Sequence, residues 1–330
     1  MPEEEKMPWI ELSLDTTNEA VDWVYTLVAE TINIDDVQIT EYAELNSDQR
    51  GDRNLALPGW TFTIRLYIAH DVHSRARVEK IVNLLSPLHR TGLATAVQTT
   101  LVEEITHAQR LNPLAHRIGD RFVVLTSDVP DQSQAANEIT LRLKTTLSFG
   151  SGLHPATIVS LKMIERHIFP TMNVLDLGSG SGILSVAMAK LGAKVLALDN
   201  DSIAVQATQD AVHLNGVEQQ VKVIKASLGC GSDMGHWMGG NTIENVPKIE
   251  TTEQFDLIVA NILARMHIAL ANDFQQSLRQ TDTYTGLLIT AGFTTDHEEN
   301  VVTALTDAGF ELVDCERFNE WVALAHRLKI

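Results

Sequence analysis

The chain has 330 residues, 44% hydrophobic and 21% charged, with a formal net charge of −18. That length serves two domains with cores of their own, and the composition is that of a soluble globular protein. No run of about 18 apolar residues offers a transmembrane helix. The acidic start lacks the apolar stretch of a secretory signal, and the acidic balance argues against direct binding of nucleic acid, whose phosphates need a basic surface.

Residues 1–50 hold 13 acids and 2 bases, a net −11. Such a segment suits a basic protein partner, because opposite potentials speed encounter; an acidic surface also serves solubility alone. Cys230 and Cys315 are far apart and match no disulfide or metal spacing, which fits a reducing cytosol.

In chain order, "PWIELSL" (8–14) alternates like a strand, Asp15-Thr16-Thr17 offers a helix N-cap, and "NEAVDWVYTLVAE" (18–30) has apolar residues at helical spacing. "NIDDVQITEYAE" (33–44) reads as a second strand, and the polar, turn-rich 46–59 as a loop. "WTFTIRLYIA" (60–69) is a third strand, 72–90 an amphipathic helix ending near Pro87, and "GLATAVQTTLV" (92–102) a fourth strand. The resulting β-α-β-β-α-β order is the ferredoxin-like pattern. It brings no paired acid and base, metal spacing or nucleophile motif. Trp9, Trp23 and Trp60 are read as core or edge-packing residues.

Residues 103–118 look like a helical connector broken near Pro113; 119–127 read as a strand and 138–150 as an extended segment. His107 and His116 are expected at the surface of this region. Domain limits of 1–103, a linker of 104–140, and 141–330 follow.

From residue 158 helices alternate with buried strands: a helix at 158–168, strand–turn–helix at 173–192, a strand at 193–201, a helix at 202–216 closed by Asn215-Gly216, and strands at 221–227 and 255–263. A helix at 267–280, a strand at 285–293, a helix at 297–309 and two terminal strands complete the series. Strands separated by helices imply a Rossmann-like, doubly wound parallel α/β sheet. The glycine-rich 228–254 reads as a surface loop, in which Cys230 and His236 make no metal site by themselves.

The sharpest motif is "VLDLGSGSG", residues 174–182. Its glycines let the backbone approach a ligand, and the next helix points its N-terminus there. A dinucleotide fold prefers G-x-G-x-x-G with pyrophosphate on the helix end. Here the spacing is G-x-G-x-G through Gly178 and Gly180, and Asp176 stands two residues before the first glycine. That acid repels a pyrophosphate but suits an ammonium group. S-adenosyl-L-methionine carries an ammonium and no phosphate. Asp199, at the end of the next strand, is placed to accept hydrogen bonds from ribose hydroxyls. Asn261, at the end of "FDLIVAN", offers a neutral carbonyl acceptor that can hold an amine with its lone pair toward a methyl sulfonium; the competing reading is a helix N-cap. His154 is read as loop-shaping and His213 as a helix-face residue.

"SFGSGLHPAT" (148–157), "VLDLGSGSGIL", "LALDNDSIAV", "LNG", "FDLIVANILA", "GLLITAGF" and a late Trp321 together resemble the PrmA family of class I, S-adenosylmethionine-dependent methyltransferases of ribosomal protein L11. The resemblance covers about residues 140–325. It implies an N-terminal ferredoxin-like domain that docks the ribosomal protein, and N-methylation of lysine or N-terminal amines. At matching positions it implies cofactor binding by Thr157, Gly178, Asp199 and Asn261, with Phe149 and its glycines in a loop near the cofactor. Ser151, Leu153 and Ala156 stand where the family loop usually has threonines, and 228–254 is longer than usual. Methylation of another protein or of a small amine, and a non-enzymatic module that keeps the fold, stay open on the sequence alone.

Overall fold

The computed structural model describes residues 8–28, 31–32, 36–42, 59–103, 116–126, 137–143, 152–229, 246–249, 254–281 and 285–329. Chain contacts divide it into two compact units.

The N-terminal unit contains β1 (Trp9–Thr16), α1 (Ala20–Val28), β2 (Val37–Glu41), β3 (Phe62–Ala69), α2 (Ser74–Arg90) and β4 (Gln98–Val102). Its strands lie in the antiparallel order β2-β3-β1-β4, that of a ferredoxin-like sheet. The two-residue period buries Leu12 and Leu14 of β1 and Phe62, Ile64 and Leu66 of β3 against Val21, Val24 and Val28 of α1 and Ile81, Leu85 and Leu88 of α2. Trp23 packs against this core, partly buried.

Three local expectations change. Asp15 and Thr16 belong to β1 and do not cap a helix; the Asp15 carboxylate instead accepts from Thr63 Oγ1 at 2.6 Å. The fourth strand starts only at Gln98. Helix α2 runs past Pro87 to Arg90. Proline cannot donate to the carbonyl four residues back. That carbonyl, on Asn83, accepts from Ser86 Oγ at 3.0 Å instead.

The larger unit begins with β5 (His116–Ile118), β6 (Phe122–Thr126) and β7 (Ile139–Leu143), a three-stranded sheet. Residues 116–118 are therefore a strand, not the end of a helical connector; His107 and the rest of that connector lie outside the described residues. Ile118, Phe122, Val124, Leu141 and Leu143 join the same hydrophobic cluster as the main sheet, so the compact unit reaches upstream of residue 141.

Then follow α3 (Pro155–His167), β8 (Asn173–Leu177), α4 (Ile183–Lys190), β9 (Lys194–Asp199), α5 (Ser202–Leu214), β10 (Val221–Lys225), β11 (Ser227–Leu228), β12 (Lys248–Ile249), β13 (Leu257–Asn261), α6 (Ala264–Ala269), α7 (Ala271–Ser277), β14 (Leu287–Thr294), α8 (Thr295–Asp307), β15 (Phe310–Phe318) and β16 (Trp321–Leu328). The main sheet has the order β10-β9-β8-β13-β14-β16-β15. Its first five strands are parallel; β16 and β15 close it as an antiparallel hairpin. Alternation sends Val174, Val259 and Ile289 to one face and Leu175, Ile258, Leu288 and Leu324 to the other, each covered by helices.

The single helix expected over 267–280 is two short ones. They meet at Leu270, whose backbone (φ −94°, ψ 5°) leaves the helical region. Most of the 228–254 loop, with Cys230 and His236, lies outside the described residues; its two ends pair as β11 and β12. Cys315 is exposed and free. Among the described residues no helix is long and apolar enough to cross a membrane, and no cluster of three or more His, Cys, Asp or Glu could hold a metal ion.

Candidate active site

The strand order reverses between β8 and β13: the chain leaves β8 toward β9 and β10, then returns to pair on the other side of β8. In open α/β sheets the crevice outside the carboxyl ends at such a point is where ligands bind. Gly178, Asp199 and Asn261 all stand at that end of the sheet, after or at the last residue of β8, β9 and β13.

The turn after β8 is tied to β9, because the backbone N–H groups of Gly178 and Ser179 both donate to Leu198 O, at 2.9 and 3.0 Å. Gly178 has φ +76°, and a Cβ there would lie 2.6 Å from Ile262 Cγ2. Any side chain would thus strain the turn and push it off the end of β13. Thr208 of α5 holds the turn from the other side. Its Oγ1 donates to Gly180 O at 3.0 Å and lies 2.9 Å from Ser179 Oγ.

Asp199 receives the Gly180 N–H on Oδ2 and the Asp201 N–H on Oδ1, each at 3.0 Å. A carboxylate has about four lone-pair sites, so acceptor capacity remains on both oxygens. Burial pushes its pKa up, while these backbone donors pull it down.

Asp176, the penultimate residue of β8, is fully buried. Ser185 Oγ donates to its Oδ2, and Oδ1 has no hydrogen-bond partner among the described residues. Burial, with the Asp199 charge adding to it, pushes the Asp176 pKa up to about 7. Thr157, in the first turn of α3, is likewise buried, with Oγ1 lacking a partner among the described residues.

Asn261 ends β13 half-buried, and its Oδ1 is buried without a partner among the described residues. The helix-cap reading does not hold. The N-cap of α6 is Leu263, and no side chain caps that helix. Gly292 of β14 makes room for Asn261: at φ +90°, a Cβ there would stand 2.9 Å from Asn261 Oδ1 and 2.5 Å from Ile262 O.

Phe149 lies outside the described residues. Leu153, from the same stretch, packs in the N-terminal unit's core, and its carbonyl accepts from Asn18 Nδ2 at 3.2 Å. His154 is buried and kept neutral, its pKa lowered to about 3 by desolvation. His213 is an exposed helix-face residue paired with Glu218 at 2.8 Å.

Sequence reading missed Ser185, Thr208, Gly292 and Ser227. Ser185 had a local signal, as a lone hydroxyl in the otherwise apolar "ILSVAMA" (183–189). Ser227 did not: it follows β10, where Ala226 N donates to Asp199 O at 3.0 Å, and its buried Oγ has no partner among the described residues.

The site fits S-adenosylmethionine on chemical grounds. A buried carboxylate oxygen without a donor is costly, and a cationic ligand relieves it where a phosphate would not. The glycine turn and the acid closing β9 leave backbone and acceptor groups for an amino acid and a ribose. Together the strand order and this donor set define a class I S-adenosylmethionine-dependent methyltransferase. The chain belongs to the family described as ribosomal protein L11 methyltransferase (PrmA), whose family model matches residues 8–329. It is 35% identical over 328 residues to the ribosomal protein L11 methyltransferase of Chloroflexus aurantiacus, covering 97% of this chain and 98% of that one. The protein of the same name from Herpetosiphon aurantiacus is 35% identical over 327 residues, covering 97% and 99%. Among solved structures, a ribosomal protein L11 methylase from Lactobacillus delbrueckii subsp. bulgaricus matches with a TM-score of 0.54 and 26% identity, covering 66% of this chain and 99% of that one.

Proposed function

We propose that this chain transfers methyl groups from S-adenosylmethionine to amino groups, lysine side chains or an N-terminal amine, of ribosomal protein L11. The observation that carries the chemistry is Asn261 Oδ1, a buried acceptor without a partner among the described residues, at the end of β13, one strand from the glycine turn. Family membership and relatives of that name along the whole chain support the protein substrate.

Bound S-adenosylmethionine supplies an electrophilic sulfonium methyl. Asp176, Asp199, Thr157 and the backbone of Gly178 and Gly180 hold it. Asn261 accepts an N–H of the incoming amine and so orients the nitrogen lone pair. Asparagine takes up no proton, so the amine has to arrive neutral. For a lysine with pKa about 10.4 this costs roughly 4 kcal/mol near pH 7.4, and for an α-amine roughly 1 kcal/mol or less. Positioning and desolvation therefore carry the rate.

The ferredoxin-like unit serves as the substrate-recognition domain, with the −11 of residues 1–50 favouring a basic partner. Such a substrate implies the cytosol. The decisive experiment incubates purified protein and methyl-labelled cofactor with L11. Label on L11 amines, lost in Asn261→Ala, is the expected result. No label on L11 while the cofactor still binds would end the substrate assignment.

A further inference from the structure

His267 lies six residues beyond Asn261, in α6, and is fully buried. Its Nε2 is 3.1 Å from Ile262 O and 2.9 Å from Ala291 O. Carbonyl oxygens only accept, so Nε2 carries the proton and donates to both. Nδ1 has no partner among the described residues, and desolvation lowers the ring's pKa to about 4. The imidazole is thus neutral near pH 7. Phe293 meets the ring edge-on with centroids 5.3 Å apart, and Phe274 flanks it at 6.3 Å.

The two carbonyls bracket the reactive strand end. Ile262 directly follows Asn261, and Ala291 is the residue opposite Asn261 in the β13–β14 ladder. Ala291 O also receives the Ile262 N–H at 3.0 Å. Just beyond, β14 shifts register against β16 between Thr290 and Phe293, and Gly292 leaves the space in which Asn261 Oδ1 sits. Helix α6 begins too late to serve Ile262 O from its own backbone: its first internal bond runs from Met266 N to Leu263 O. A side chain supplies the donor instead.

We propose that His267 is a positioning residue for methyl transfer: its Nε2–H, shared between Ile262 O and Ala291 O, sets the direction of the Asn261–Ile262 peptide and thereby aims Asn261 Oδ1 at the acceptor amine. The role rests on the reading of Asn261 as the amine's acceptor. It assigns His267 no contact with substrate or cofactor.

Two variants separate positioning from packing. His267→Phe keeps a ring of similar size and removes the donor; His267→Gln restores an N–H at the reach of Nε2. The expected result is a kcat on L11 lowered about 30-fold in His267→Phe and restored to within about threefold of wild type in His267→Gln, with KM for L11 and calorimetric affinity for S-adenosylmethionine within about twofold throughout. A second readout is independent of turnover. In nitrogen-labelled protein the Asn261 side-chain amide should give one sharp pair of resonances in wild type and His267→Gln, and broadened or multiple ones in His267→Phe. Full turnover with a sharp Asn261 amide in His267→Phe overturns the proposal. So does a rate that falls only in step with cofactor binding and thermal midpoint, or that Gln does not rescue. Should wild type methylate no L11, the substrate assignment fails and the resonance readout decides the positioning role: an Asn261 order that depends on the His267 donor supports it, and an order indifferent to His267→Phe overturns it.

Discussion

At Asp176, burial and the Asp199 charge push the same way, and only the Ser185 hydrogen bonds oppose them. The carboxyl sits in the sheet's interior with one oxygen bonded to Ser185 and the other without a partner among the described residues, and its pKa rises to about 7. In the proposed role of Asp176 as partner of the cofactor's ammonium, that charge would favour the carboxylate, and cofactor binding near and below that pH would release a proton. Affinity for S-adenosylmethionine should therefore rise with pH up to about 7 and level off above it, by at most tenfold per pH unit. Calorimetry between pH 5.5 and 8.5 checks this; in Asp176→Asn the affinity should be lower above pH 7 and flat with pH. At Asn261 the argument concerns geometry. Loss of its Oδ1 in Asn261→Ala should cut kcat by about a hundredfold and leave the cofactor Kd within about threefold, because orientation matters in the transition state. Single-turnover kinetics beside a binding titration separates the two. The strand-end placement of both residues was legible in the sequence, since hydrophobic runs define those strands. What each oxygen meets was not, because Ser185 and Gly292 reach them from other elements.

Among elements, the turns and helix ends carry the larger lessons. The Asn215-Gly216 pair was readable as a helix stop, and Asn215 does end α5 as its C-cap, with Gly216 at φ +65°. Its amide also grips another element. Oδ1 accepts from Arg142 N at 3.0 Å and Nδ2 donates to Arg142 O at 2.7 Å, pinning β7 to α5. Asn215→Ala should lose about 1–3 kcal/mol in urea unfolding, since it leaves backbone groups of β7 unpaired; a midpoint shift below that range would reduce the clamp to a solvent-exchangeable contact. Gly292→Ala is the sharper perturbation, because a methyl at φ +90° would press on Ile262 O and Asn261 Oδ1. Its turnover should fall more steeply than its thermal midpoint. The ends misjudged from sequence share one cause. Asp15 and Thr16 are good cap residues by type, but strand pairing with Thr63 and Phe62 claims them first; Pro87 is a helix breaker by type, but Ser86 takes over the carbonyl that proline leaves.

For the whole molecule, pH dependence follows from which groups are buried. His154, His267 and His326 have folded pKa values lowered to about 3, 4 and 4. Between about pH 6.5 and 4 the unfolded chain takes up these protons and the folded chain does not. Stability is thus fullest above 6.5 and drains as pH falls through that window. Asp176 opposes this, because its raised pKa lets the folded state bind a proton between about 3.8 and 7. Each net proton is worth about 1.4 kcal/mol per pH unit. With three histidines against the raised carboxylates, the urea midpoint should be lower at pH 5.0 than at 7.5, and Asp176→Asn should steepen the drop. An unchanged midpoint in both proteins would mean that the histidines are not sequestered in solution.

Hydrophobic period, turn glycines and strand-end acids were enough to read two α/β units, a glycine turn built for a close ligand, and the three strand ends that surround it. Those properties are local, since each is written within a dozen consecutive residues. The antiparallel hairpin that closes the sheet, the packing of β5 to β7 into the larger core, the oxygens of Asp176 and Asn261 left without partners among the described residues, and the His267 hydrogen bonds to Ile262 O and Ala291 O were decided only by the tertiary structure. Each depends on pairing between residues far apart in the chain, such as Asn261 with Ala291 and Asp176 with Val259. A buried polar atom is satisfied or left bare by whichever distant element packs against it.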